Sequence, residues 1–361
     1  MHVLVVTVVH NPEDARIRYR QIRALLDAGH RVTYIAPFER FGVPVPADVP
    51  GLTGVSVPRA EGRMRLGALR AVRKAVRKHA GGKDIVLMHD PELVLAVARL
   101  SGLPPVVWDV HEDTSATMTL KPWLPEPLRP LGVRLAYFIE SYAERHYHLM
   151  LADNGYRELF RREHPIVPNT TYVPEQVPAP GDERVIYVGH LTRARGTEEM
   201  IEVGRLLRGT VRVELVGDAD GAMRPLLEHA HAEGTVVWHG FMPNEEALRL
   251  VAGSIAGLSL RHDEANYRNS WATKAVEYMS RGIPTVSTPT PPAPEIVERF
   301  DAGIIVPFGD PTAAADAVRK LHADPDLRVG MGKRGHDAAL AEYAWPVHAK
   351  EFVRQLETWA R

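Results

Sequence analysis

Several side chains in this sequence stand where they could do chemistry. Arg193 and Arg195 lie in GHLTRARG (189–196), just before a stretch that reads as a helix. Helix N-terminal N–H groups favour anions and a guanidinium holds a phosphate bidentately, so Arg195 with Gly196 is a phosphate seat. Gly217 and Gly240 follow two further strands in the same half. Lys274, Glu277 and Arg281 recur at i, i+3 and i+7 and share one helix face. Facing a cleft, Glu277 accepts two hydrogen bonds from a ribose diol. Facing solvent, it forms a surface pair with Lys274 worth ~0.2–0.5 kcal/mol. In the first half, His89-Asp90 and His111-Glu112-Asp113 each follow an apolar run. Each piece also has a plainer reading: a solvated arginine, a turn glycine, a structural histidine.

Alternation of strands and helices positions these groups. Residues 3–9 form an apolar strand of the kind buried on both faces of a parallel sheet. A helix over 14–28, closed by Gly29, and a strand over 31–36 complete a βαβ opening without GxGxxG. A basic helix spans 63–80. Strands at 84–88 and 105–110 end at the two polar clusters, with a helix to Ser101 between them. A helix over 128–147 and a strand over 149–153 end the half. Prolines and Gly181 in 174–183 mark a linker. Strands then fall at 185–188, 211–216, 236–238, 256–259, 284–287 and 303–306, with helices at 197–207, 272–279, 311–322 and 345–360. Trp271, Ala275, Val276 and Met279 form the buried face of the helix that carries Lys274 and Glu277. Ligands of open α/β sheets bind at the C-terminal edge of the strands, where the polar clusters fall.

Length and composition bound the rest. At 361 residues with 45% hydrophobic side chains, the chain makes two α/β domains. A net charge of −1 provides no field for nucleic acid. The chain has no cysteine, which excludes thiolate chemistry and suits a reducing cytoplasm. The opening apolar run lacks a basic segment before it, so it reads as a strand and not a signal peptide. No apolar run approaches the ~20 residues that span a bilayer. Between Arg59 and Lys83 there are nine Lys or Arg and one acid, Glu61. That patch is either a solvated helix face or a peripheral contact, over 63–80, with the inner face of an anionic membrane.

Taken together, GHLTRARG (189–196), ELVGDAD (214–220), VVWHGFMPNEE (236–246), TKAVEYMSRGIPTVST (273–288) and GIIVPFGDP (303–311) resemble the donor half of glycosyltransferase family 4. DARIRYRQIRALLDAGHRV (14–32), MHDPEL (88–93), VVWDVHED (106–113) and IVPN (166–169) extend the resemblance to nearly the whole chain. It implies the GT-B fold, two Rossmann-like domains facing across a cleft. The boundaries are 1–173 for an acceptor-binding domain completed by a returning helix at 345–361, 174–183 for the linker, and 184–344 for a domain that binds a nucleotide-diphosphate sugar. It implies retaining hexosyl transfer from a UDP- or GDP-sugar to an acceptor hydroxyl, carbohydrate, lipid-linked or small-molecule, in polysaccharide, glycolipid or secondary-metabolite biosynthesis, with no metal and no cofactor.

The resemblance also assigns residues. Glu277 matches the ribose-binding glutamate of a Glu, seven residues, Glu motif, whose first position is Asn269 here. The N–H groups from Ser270 through Trp271 to Ala272 face the sugar or its phosphates. The clamp position after Gly189 is His190. Arg195 matches the second basic residue, and Arg193 and Lys274 are candidates to replace the missing charge. Gly240-Phe241 matches the base-holding loop. His111, with Glu112 beside it, matches a histidine at the junction of sugar and diphosphate. His10, Asp14 and Arg16 lie on the acceptor-facing edge. His89 and Asp90 belong to that edge or only cap the helix that follows. A nucleotide-sugar 2-epimerase of the same fold and a non-catalytic nucleotide-sugar-binding subunit are the competing functions.

Overall fold

The computed structural model describes residues 1–111, 114, 129–264, 267 and 272–361. They form two six-stranded parallel sheets. In the first, β1 (His2–Val6), β2 (Arg31–Ala36), β3 (Leu52–Ser56), β4 (Ile85–Met88), β5 (Val106–Val110) and β6 (His148–Leu151) take the order β3-β2-β1-β4-β5-β6. Val3 is in register with Val32 on one side and Ile85 on the other. In the second, β7 (Arg184–Val188), β8 (Arg212–Val216), β9 (Val237–Trp238), β10 (Gly257–Ser259), β11 (Thr285–Ser287) and β12 (Gly303–Ile305) repeat that order as β12-β11-β10-β7-β8-β9. Strand order therefore reverses between β1 and β4, and again between β7 and β10. Such reversals open the crevices in which doubly wound sheets bind ligands.

The chain divides into two compact units, 1–169 with 346–361, and 170–345. Each has its own core. Leu4, Val6, Val86 and Met88 turn one face of the first sheet to Val72, Val76 and Ile139. Val213, Leu215 and Leu258 do the same against Met200, Leu227 and Val318 in the second. Within the first unit His30 Nε2 lies 2.9 Å from Glu357 Oε1, and the rings of His148 and Trp359 stack at 4.8 Å, fixing the last helix to that sheet.

Several elements depart from the sequence-based expectation. The first helix begins at the Asp14 cap, whose Oδ1 accepts the N–H of Arg16 and Ile17 at 2.8 and 3.0 Å. It is π-helical over Ala15–Ile22 before the α-helical Arg23–Asp27. The helix that follows His89-Asp90 ends at Ala96 instead of Ser101, and a left-handed backbone at Arg99 (φ 58°) keeps it from resuming. Arg73 Nη1 then takes the freed carbonyls of Ala96 and Ala98 at 2.6 and 2.9 Å, so this member of the basic run is a structural cap. β3 has no counterpart in the sequence-based expectation. It is short, and Gly54 leaves room for Val45 and Pro46, which a Cβ would meet at 2.6 Å. The helix Pro325–Glu342 is also additional to it, since Gly330, Gly332 and Gly335 lower its propensity. Packing overrides them: at Gly332 a Cβ would lie 2.1 Å from the Gly282 carbonyl. The helices Arg224–Ala232, Asn244–Val251 and Ala293–Arg299 complete the second unit. Among the described residues no helix is long and apolar enough to cross a membrane.

Candidate functional site

The second unit gathers its charged residues where β7 and β10 meet. β7 ends in Gly189 and β8 in Gly217, and the two backbones touch: a Cβ on Gly217 (φ 140°) would lie 1.9 Å from the Gly189 carbonyl oxygen. Gly217 N–H donates to the Gly240 carbonyl at 2.7 Å, and Trp238 Nε1 donates to the Gly217 carbonyl at 2.9 Å. These contacts bring three strand ends together without side chains between them.

Arg195 closes a single 3₁₀ turn (Arg193–Arg195), and Gly196 (φ 78°) starts the helix Thr197–Leu206. The N–H groups of Arg195, Gly196 and Thr197 are already bonded to Thr192 or Arg193 carbonyls, at 3.1, 2.9 and 3.4 Å. The phosphate seat expected here therefore rests on the guanidinium. Burial opposes the charge on Arg195, but the Tyr187 and Tyr267 hydroxyls more than offset it and raise its proton affinity. Arg261, just past β10, is lowered by burial and then by the Arg195 charge, and its guanidinium lies 5.0 Å from the Tyr267 ring centre. Gly196, next to Arg195, packs against the Leu260 carbonyl, next to Arg261, and an anion bound by both guanidiniums would relieve their repulsion.

The helix Thr273–Met279 brings a third cation. Lys274 Nζ lies 2.6 Å from Glu277 Oε2, and Asn244 Nδ2 reaches Glu277 Oε1 at 3.4 Å. The solvated-face reading of Lys274 and Glu277 is overturned, since Glu277 is buried. Arg261 and Lys274 together line a cavity of about 10 Å³ with Ser259, Ser287 and Thr290. Arg193 stands apart, paired with Glu198 at 2.9 Å on the surface. Desolvation and the Arg195 charge lower His190, so this imidazole adds no cation at neutral pH. Phe241 is 59% exposed beside Gly240. Asn269, Ser270 and Trp271 lie outside the described residues.

The first unit collects a second group at the ends of β1, β4 and β5. Asp109 is fully buried and takes Arg16 bidentately, Nε to Oδ2 and Nη2 to Oδ1 at 2.7 Å, with Gln21 Nε2 at 3.0 Å. Burial pushes this carboxyl up, but Arg16 and His89 pull it well below the usual aspartate range. Asp14 is likewise lowered, its burial outweighed by His10 and the Ile17 N–H. Asp90 does not cap its helix. Its Oδ2 accepts Thr7 Oγ1 at 2.9 Å and the Val8 N–H at 2.5 Å, and its Oδ1 faces His10 Nε2 at 3.1 Å.

Hydrogen bonds fix the tautomers. His111 Nδ1 lies 3.0 Å from the Asp109 carbonyl, which only accepts, so Nδ1 carries the proton. In the neutral ring its Nε2 then accepts from His10 Nε2–H at 3.0 Å, a hydrogen that His10 shares with Asp90 Oδ1 at 3.1 Å. His10, Asp90 and His111 are thus one chain, and Arg16, His89 and Asp109 are the buried layer beneath it. Glu112 lies outside the described residues. His89, Asp109 and His111 each place a ligand atom within 4.8 Å of the others. Arg16 already holds both Asp109 oxygens, so a dication there would meet a guanidinium.

Arg261, Tyr187, Asn244 and Asp109 are site residues that the sequence reading does not single out. Arg261 and Asp109 carry a usable signal, a charged residue at the end of or just past an apolar strand. Tyr187 and Asn244 carry none, because their roles depend on contacts distant in sequence.

Residues 169–338 match the family of glycosyl transferases group 1. The N-acetyl-alpha-D-glucosaminyl L-malate synthase of Bacillus anthracis is 28% identical over 146 residues, 40% of this chain and 35% of that protein's length. The match thus spans about a third of that relative. The sucrose-phosphate synthase of Thermosynechococcus elongatus superposes with a TM-score of 0.76 at 16% identity, over 99% of this chain and 98% of that one. Anabaena HepE, in complex with UDP-glucose, gives 0.74 at 15% identity over 99% and 100%. These likenesses identify the fold as GT-B.

Proposed function

We propose that this chain, which belongs to the glycosyl transferases group 1 through residues 169–338, moves a sugar from a nucleotide-diphosphate donor to an acceptor hydroxyl with retention of configuration. The observation that carries this reading is the set of cations at the β7–β10 reversal: Arg195 and Arg261, with Lys274 lining a cavity shared with Arg261. The second unit holds the donor. Arg195, Arg261 and Lys274 take the diphosphate, Glu277 takes the ribose diol, and Gly240-Phe241 the base. A UDP-sugar is the favoured donor, since HepE is described with UDP-glucose.

In this reading the bond from the sugar to the diphosphate breaks first and leaves an oxocarbenium-like sugar. The guanidiniums stabilise the charge on the departing diphosphate. The acceptor hydroxyl attacks from the same face, and a leaving phosphate oxygen takes its proton. The first unit holds the acceptor, with His10, His111 and Asp90 along its edge and Asp14, Arg16 and His89 setting their positions. Neither metal nor cofactor is needed. Peripheral membrane contact through 63–80, at the cytoplasmic face, is a separate expectation that the transfer chemistry does not require.

Thermal unfolding against UDP, GDP, dTDP, ADP and CMP tests the donor site. A ligand at 100 times its dissociation constant adds about 2.7 kcal/mol, a shift of a few degrees. No shift with any nucleotide would overturn the proposal. Release of nucleotide with an acceptor, and transfer of the sugar to it, separates transfer from epimerisation and from binding alone.

A further inference from the structure

We infer that the outer face of the helices Arg65–His79 and Arg129–His146, in the first unit, is a docking surface for an anionic membrane. The first helix and the residues just before it expose Arg63, Arg70, Lys74, Arg77 and Lys78. None of these five has a carboxylate partner among the described residues. Arg73 is excluded from the set, being tied to the Ala96 and Ala98 carbonyls.

The second helix completes the surface. Both of its acids, Glu140 and Glu144, are buried, and Glu144 Oε1 accepts the N–H groups of Arg161 and Arg162 at 2.8 Å. Its solvent face shows Leu131 at 64% and Phe138 at 57% exposure, with Leu135, Tyr137 and Arg134 beside them. At the start of the first helix, Met64 and Leu66 are exposed in the same way. Neither helix therefore turns an acid to solvent.

The two helices cover one face of the sheet. Val72 and Val76 of the first, Leu93 and Val94 of the helix Pro91–Ala96, and Ile139 and Ala143 of the second share a core with Leu4 and Val6 of β1. Met64 and Leu66 lie at the start of the first helix and Leu131 at the start of the second.

Charge decides between occupants. Cations interleaved with leucine and aromatic side chains suit the boundary of an anionic bilayer, where the cations meet headgroups and the apolar groups enter the acyl region. A second copy of the chain would set these cations against themselves. Vesicle binding needs no nucleotide sugar, so failure here would leave the transferase reading standing.

The test is flotation of the full chain with vesicles of phosphatidylcholine alone and with a quarter phosphatidylglycerol, at low and at high salt. Binding is expected only to the anionic vesicles, and to weaken with salt. Arg70→Glu with Lys74→Glu, both exposed, should lower that binding about tenfold or more. Leu135→Ser with Phe138→Ser should lower it as well, with the far-UV spectrum unchanged. Equal binding to both vesicles, no binding to either, or no effect of the charge reversal would overturn the proposal. So would a dimer in sedimentation equilibrium that Leu135→Ser with Phe138→Ser dissociates.

Discussion

Lys274 Nζ and Glu277 Oε2 lie 2.6 Å apart, with side chains only 15% and 4% exposed. An exposed pair at this spacing contributes ~0.2–0.5 kcal/mol. A buried pair behaves differently, because removing one partner strands the other charge away from water. Lys274→Met should therefore cost about 3–5 kcal/mol in urea unfolding, and Lys274→Met with Glu277→Leu should recover much of it. A loss below about 0.5 kcal/mol for the single change would place the pair back in solvent.

The arginines make a second prediction. A lysine keeps the charge of Arg195 but loses the planar fork that grips two phosphate oxygens. Arg195→Lys should weaken a nucleoside diphosphate by about 1–3 kcal/mol, roughly five- to 150-fold, while leaving the free nucleoside unchanged. Arg261→Met should act in the same direction. Titration calorimetry with both ligands reads the difference. Equal weakening of nucleoside and diphosphate would remove Arg195 from the phosphates.

Much of this site is legible in the sequence, and what is not has a physical pattern. Strand ends are marked by apolar runs, and residues just past them fall on the binding edge, which places His10, Asp90, His111, Arg195 and Gly217. Glu277 is placed on its helix but not in the interior, since helical spacing gives a face and not what covers it. β3 and the helix Pro325–Glu342 escape notice because glycines lower their local signal, while close approach at Gly54 and Gly332 is what requires those glycines. Arg261 carries the same strand-end mark, but its value lies in Arg195, which is distant in sequence.

Two aspartates should titrate stability with opposite sign. Asp109 is held well below the ordinary value of 3.8, so the unfolded chain binds the proton more tightly. Its contribution is complete above that value and is lost as the pH falls through the folded one. Asp153, buried with Oδ1 on the Gly155 N–H at 2.8 Å, is pushed up to about 6 by desolvation. Here the folded chain binds the proton more tightly, so stability falls as the pH rises from about 4 to 6. Asp153→Asn should raise stability at pH 8 by about 2–3 kcal/mol relative to pH 4, and Asp109→Asn should flatten the acid limb below about pH 4. Urea midpoints across that range, in both variants, check the signs. An unchanged pH profile in Asp153→Asn would refute the raised carboxyl.

Gly196 and Gly209 form a matched pair for the last prediction. Both have left-handed backbones, φ 78° and 82°. A Cβ on Gly209 meets nothing within 4 Å, whereas one on Gly196 would lie 2.0 Å from the Leu260 carbonyl oxygen. Gly209→Ala should therefore cost only the backbone strain, about 1–2 kcal/mol, and leave nucleotide binding intact. Gly196→Ala adds a collision with a backbone atom that cannot rotate away. The turn that carries Arg195 and the strand end that carries Arg261 must then separate. The expected result is a larger loss of stability together with weaker diphosphate binding. Equal losses in the two variants, with binding unaffected, would show that the approach of Gly196 to Leu260 does not set the distance between the two guanidiniums.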